Sequence, residues 1–98
     1  MIKIKMKERE IIISGHAGFA DYGKDIVCAS VSSMVVASAN DMFTVNDKAI
    51  SYTDDDKEVI IKIIKEDELV IKLFNNLKTL LENLASDYPK NIKIESEE

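Results

Sequence analysis

The sequence predicts an α+β fold, a single-domain sandwich of order β-β-α-β-β-α-β, with one mixed sheet packed against two helices. Three observations predict it. Short period-2 segments stand at both ends: Ile2, Ile4 and Met6 alternate with Lys3, Lys5 and Lys7, and Ile92 and Ile94 alternate with Lys93 and Glu95. Two long segments carry helical signals and contain neither Gly nor Pro. Strands come in pairs between the helices rather than alternating singly with them. The chain of 98 residues is 46% hydrophobic and 32% charged, enough for one core of modest size and too short for two. Residues 1–98 are therefore expected to form one domain, without repeats or linkers.

The elements follow in order. Ile2–Met6 is a strand with one wet face. Glu8 and Arg9 break it, and Ile11-Ile12-Ile13 reads as a second strand ending near Gly15, so the two form a hairpin. The next stretch, residues 15–25, holds all three glycines of the chain, Gly15, Gly18 and Gly23, so the path of this loop is specified. Asp25 is placed to cap a helix from Ile26 to about Phe43. That helix is apolar nearly all round, with Ser30, Ser33 and Asn40 as a narrow polar strip, and is expected to be covered on most sides by a sheet and a partner subunit. Two strands follow, Lys48–Thr53 and Lys57–Lys65, with the solvated turn Asp54-Asp55-Asp56 between them. Val59, Ile61 and Ile63 share one face of the second, with Ile60 and Ile64 on the other. Glu66-Asp67-Glu68 opens the second helix at the positive end of its dipole. Its stripe of Val70, Phe74, Leu77, Leu81 and Leu84 is core packing, and Pro89 stops it.

Composition excludes several function classes. One Cys rules out an intrachain disulfide, and one Cys with one His cannot supply an ordinary four-ligand zinc site, so no metal or cofactor is expected. The net charge is −5, the only Arg is Arg9, and aromatics make up 6%. A clustered basic face or a stacking platform is missing, so direct nucleic-acid binding is disfavoured and a cationic peptide or protein partner fits better. No apolar run is expected to reach the roughly 18–20 residues of a membrane span. The N-terminus has no continuous apolar region of secretory type, so the expected compartment is the cytoplasm.

The residues that carry chemistry lie around the glycine-rich loop. The single His and the single Cys, His16 and Cys28, are 12 residues apart at its two ends. Cys28 falls three residues after the Asp25 cap, in a first helical turn. A free thiol has a pKa of about 8.5, and the thiolate is the nucleophile. A helix N-terminus contributes roughly half a positive charge and outward N–H groups, and a nearby imidazole can take the thiol proton. The same N–H groups can stabilise an oxyanion. Nucleophile, base and oxyanion site can thus all come from Gly15 to Ala29. Ser32, one turn after Cys28, is expected to share its face. Asp25 can cap the helix, orient His16, or divide its two oxygens between both tasks. Phe19 and Tyr22 either touch a bound peptide or close the loop onto the core. Against this stands the bland alternative, in which Cys28 is a small buried hydrophobe.

The stretch from Ser14 to Ser32 closely resembles the signature of the ribosomal-processing cysteine protease family Prp (YsxB-like). The blocks Gly15-His16-Ala17-Gly18 and Asp25-Ile26-Val27-Cys28-Ala29 match in sequence and separation without a gap. The resemblance implies a cytoplasmic bacterial cysteine protease that removes the N-terminal extension of large-subunit ribosomal protein L twenty-seven. It implies Cys28 as nucleophile, His16 as general base, and Asp25, Gly15 and Ser32 as supporting positions. Gly18, Phe19, Tyr22 and Gly23 would form the substrate loop, expected to change conformation around a peptide. It implies a homodimer that needs no metal. The first hairpin turn is shorter than the family's pattern, which leaves the details of the substrate groove open. The competing class is a non-catalytic, dimeric, ribosome-associated binding module. A solvent-reachable Cys28 within hydrogen-bonding reach of His16 separates the two.

Overall fold

The computed structural model describes residues 1–15, 26–55 and 57–96. Its elements are β1 (Ile2–Met6), β2 (Glu10–Ser14), α1 (Ile26–Val45), β3 (Ile50–Asp54), β4 (Glu58–Ile63), α2 (Glu68–Asp87) and β5 (Ile92–Ser96), the expected order. They build one mixed sheet of order β3-β4-β2-β1-β5. Neighbours pair antiparallel except β1 and β5, which run parallel with Ile2 opposite Ile92 and Ile4 opposite Ile94.

One face of the sheet is the core. Ile4, Ile11, Ile13 and Ile61 point into it and are essentially sealed from water. Lys3, Lys5, Lys62 and Lys93 occupy alternate positions and face solvent. That alternation is the period-2 pattern of the sequence made physical, since successive strand side chains point to opposite faces. The two helices pack on the apolar face and on each other. In α2, Val70, Phe74, Leu77 and Leu81 are buried and Leu84 is half-buried, as the stripe predicts.

Local chemistry sets the element ends. Asp67 caps α2, its carboxylate accepting from the N–H groups of Leu69 and Val70 at 3.1 Å each. Asn46, just after α1, donates through Nδ2 to Asp67 Oδ2 at 3.0 Å, so one side-chain pair ties the end of the first helix to the start of the second. Asn46 also accepts from Lys48 N–H through its side chain and from Ala49 N–H through its carbonyl. This turn occupies residues 46–48, so that β3 begins at Ile50 rather than at Lys48, with the Ala49 carbonyl already accepting from the Ile64 N–H. Asp55 accepts from the N–H groups of Lys57 and Glu58, closing the β3–β4 turn.

One expectation about α1, that no apolar run reaches the length of a membrane span, is corrected. The helix runs through Val45, and at 20 residues it is long and apolar enough by composition to cross a membrane. The reason is a run of Ala, Ser and Val with no charge before Asp41. Its Val27, Val31, Val35, Ala39 and Met42 are spent on the sheet core. Ile26 is 64% and Val36 58% exposed in the single chain.

Candidate active site

Cys28 is the third residue of α1. A helix of this length aligns its peptide dipoles, and the N–H groups of its first turn have no carbonyl one turn earlier within the helix. Ser30 donates its hydroxyl back to the Ile26 carbonyl at 2.8 Å within this turn. Cys28 is 7% exposed, at the rim of the core between Val27 and Val31. Cys28 thus lies on the stripe that α1 turns to the sheet. Helical geometry explains this, because Cys28, Val31 and Val35 step by three and four residues onto one face. Ser32 falls just off that stripe and is exposed, so it does not share the burial of Cys28.

Gly15 directly follows β2 and leads into the other half of the site. Its φ is +79°, a conformation that side chains with a Cβ rarely adopt. A Cβ there would collide with the Met1 carbonyl oxygen, at a separation that real Cβ atoms essentially never show. Both facts call for glycine at the residue before His16. His16, Gly18, Phe19, Tyr22, Gly23 and Asp25 themselves lie outside the described residues. Among the described residues, no group of three or more His, Cys, Asp and Glu side chains could hold a metal ion.

Starting one helical turn along α1 from Cys28, the structure holds a feature that the sequence reading missed. A pocket of about 110 Å³ opens between α1 and the β2–β4–β3 half of the sheet. Val31, Val35, Ile13 and Val59 form its apolar interior, and Ser32, Val36, Tyr52 and Asp54 complete it. Ile13 pairs with Val59, and Val59 with Asp54, so a single row across three strands underlies it. Ile13 in that row is two residues from Gly15, and Val31 on the opposite wall is one helical turn from Cys28. Burial raises the Tyr52 phenol above its ordinary value, and the charge of Asp54 adds to the shift. The signal in the sequence was the alternation Ile50, Tyr52, Asp54, which puts an aromatic and an acid on the face that looks toward the helices.

The family model described as cysteine protease Prp matches residues 1–93. The chain is similar to the ribosomal processing cysteine protease Prp of Mycoplasma genitalium, with 32% identity over 99% of this chain and 97% of that protein. It is 27% identical to the protein of the same name from Staphylococcus aureus, over 90% of this chain and 86% of that one. Among solved structures, it shares its fold with the S. aureus ribosomal processing protease Prp in complex with a substrate peptide. The TM-score is 0.88 at 21% identity, covering 99% of this chain and 100% of that one.

Proposed function

This chain belongs to the cysteine protease Prp family, and on that premise we propose that it is a cysteine endopeptidase of ribosome maturation, removing the N-terminal extension of ribosomal protein L twenty-seven in the cytoplasm. The observation that carries the reading is Cys28 in the first turn of α1, with Gly15 in a positive-φ conformation directly after β2 and next to His16 in sequence. The names of the relatives, ribosomal processing proteases, support the substrate class.

The chemistry uses few groups. His16 takes the thiol proton of Cys28, and the thiolate attacks the scissile carbonyl carbon. Negative charge then develops on the carbonyl oxygen, where the first-turn N–H groups of α1 stabilise it. The C–N bond breaks, the leaving amine takes the proton from His16, and a thioester remains on Cys28. Water, deprotonated by His16, attacks that thioester. The C–S bond breaks and the thiol regains its proton. Asp25 orients His16 while capping α1, Gly15 sets the direction of the chain entering His16, and Ser32 supports the turn after Cys28. Gly18, Phe19, Tyr22 and Gly23 contact the peptide. No step uses a metal or cofactor. The exposed apolar side of α1, Ile26 and Val36 included, is covered by a second copy in a symmetric homodimer.

The burial of Cys28 favours one other reading, a non-catalytic dimeric module that binds at the ribosome. Incubation with the L twenty-seven precursor of the same genome decides between them. The protease reading expects one shortened product, unaffected by EDTA and abolished by Cys28→Ala in a protein that still folds. An intact precursor after prolonged incubation with the parent protein, or cleavage that survives Cys28→Ala, refutes it.

A further inference from the structure

The face of the sheet turned away from the helices is open to solvent. Lys3, Lys5, Lys62 and Lys93 stand exposed on it, and Lys7 continues the alternation of β1. Against these five lysines the same face carries three acids, Glu10, Glu58 and Glu95. The whole chain runs the other way, with 13 basic residues against 18 acidic ones. Composition hides this segregation because it averages over both sides of the sheet. The fold collects cations on one side, where their fields add.

The register fixes their arrangement. Lys3, Lys5 and Lys7 repeat at every second residue, about 6.8 Å apart along the strand direction. Lys93 is the parallel partner of Lys3 on the neighbouring strand. Like charges directly opposite each other destabilise a sheet, so this pair is a cost that a bound anion would relieve. The acids leave most of the group uncompensated. Glu10, the cross-strand partner of Lys62, makes its ion pair with Lys7 instead, at 3.5 Å. Glu95, opposite Lys5, lies 3.8 Å from Lys93. Glu58 stands opposite Ser14. Among the described residues, Lys3, Lys5 and Lys62 have no ion-pair partner.

The chemistry of the face selects its occupant. Point charges repeated along a strand suit the repeating anions of a phosphate backbone. The apolar pair beside them, Ile12 and Ile60, is half-buried and offers nothing bulky to insert into a bilayer. Among the described residues, no aromatic stands on this face for a base to stack on, so it reads phosphates and not sequence. Resting on the function proposed above, in which the substrate is a ribosomal protein and its surroundings are RNA, we propose that the open sheet face is an RNA-docking surface. Lys3, Lys5, Lys62 and Lys93 contact backbone phosphates and hold the enzyme on the RNA that carries its substrate.

The test measures binding of the Cys28→Ala protein to a fluorescein-labelled RNA hairpin by anisotropy. Four phosphate contacts predict a slope of about −3 in log affinity against log salt, a loss of roughly 60-fold from about 50 to about 200 mM KCl. Lys3→Gln with Lys93→Gln should halve that slope, and so should Lys5→Gln with Lys62→Gln. All four positions are exposed, and cooperative melting identifies the folded pair to compare. Lys72→Gln, on the exposed side of α2, should leave affinity within about twofold. No binding at low salt with protein at about 0.2 mM overturns the proposal, since that is above the usual range for non-specific contacts. A slope unchanged in the folded lysine pairs overturns it too, as does an equal loss with Lys72→Gln. Equal affinity for polyglutamate or for phosphatidylserine vesicles defeats the choice of RNA. The parent protein with the L twenty-seven precursor keeps the two readings apart. An uncleaved precursor beside a protein that binds RNA defeats the protease assignment alone, whereas Cys28-dependent cleavage without RNA binding defeats the docking surface alone.

Discussion

Gly15 offers a quantitative test of how the strand end is built. Two separate costs attend a side chain there. The positive φ costs about 1–2 kcal/mol for a residue with a Cβ. The collision with the Met1 carbonyl is relieved only by moving the N-terminus. Ile2, the next residue, is buried and donates its N–H to the Asn91 carbonyl at 2.8 Å. Losing that bond costs about 1 kcal/mol, and part of the burial of Ile2 goes with it. Gly15→Ala should thus destabilise by about 3 kcal/mol, which for a domain of about 100 residues is a fall of ~12–24 °C in Tm. Gly15→Asn separates the two costs, because Asn tolerates positive φ while still carrying a Cβ. If the Met1 contact dominates, Asn recovers little of the loss. Urea unfolding with both variants, read at constant m-value, measures this. An Asn variant within about 0.5 kcal/mol of the parent would refute the steric argument and leave only the backbone conformation. Cleavage by both variants should fall further than the unfolded fraction accounts for, since the displaced strand end leads directly to His16.

Other predictions follow from named groups. Asp25→Asn should melt close to the parent yet lose at least about tenfold in turnover, because Asn caps a helix but brings no charge to an imidazolium; unchanged turnover makes Asp25 a cap only. The Asp67 carboxyl is held below its ordinary pKa, first by the Asn46 side chain and then by the Val70 and Leu69 N–H groups. Its contribution is present above the unfolded carboxylate value of about 3.9 and lost as pH falls through the lower folded value. Asp67→Ala should therefore lower Tm at neutral pH, with the gap from the parent closing in acid; a gap independent of pH refutes the ionic part. Sedimentation at tens of micromolar should show twice 11.0 kDa for the parent and a shift toward monomer for Ile26→Lys; a parent that sediments only as monomer ends the dimer proposal.

Much of the molecule follows from local pattern alone. The strand at Ile2–Met6 and the stripe on α2 are legible because apolar and charged residues contrast sharply at fixed spacing, and burial then follows the period. Gly15, the residue before the one His, is legible for the same local reason: a glycine is needed where the backbone takes a path that a Cβ forbids. Contrast fails in α1. Its Ala, Ser and Val residues differ little in polarity, so only packing on the sheet decides that Cys28, Val31 and Val35 are covered while Ile26 and Val36 are not. The sheet order β3-β4-β2-β1-β5 is likewise a tertiary outcome, since β1 and β5 lie at opposite ends of the chain and meet only when α2 packs between them in sequence. The pocket of Tyr52 and Asp54 depends on both decisions. No residue in it announces a site by itself, because its walls come from α1 and from three strands that are brought side by side only by the fold.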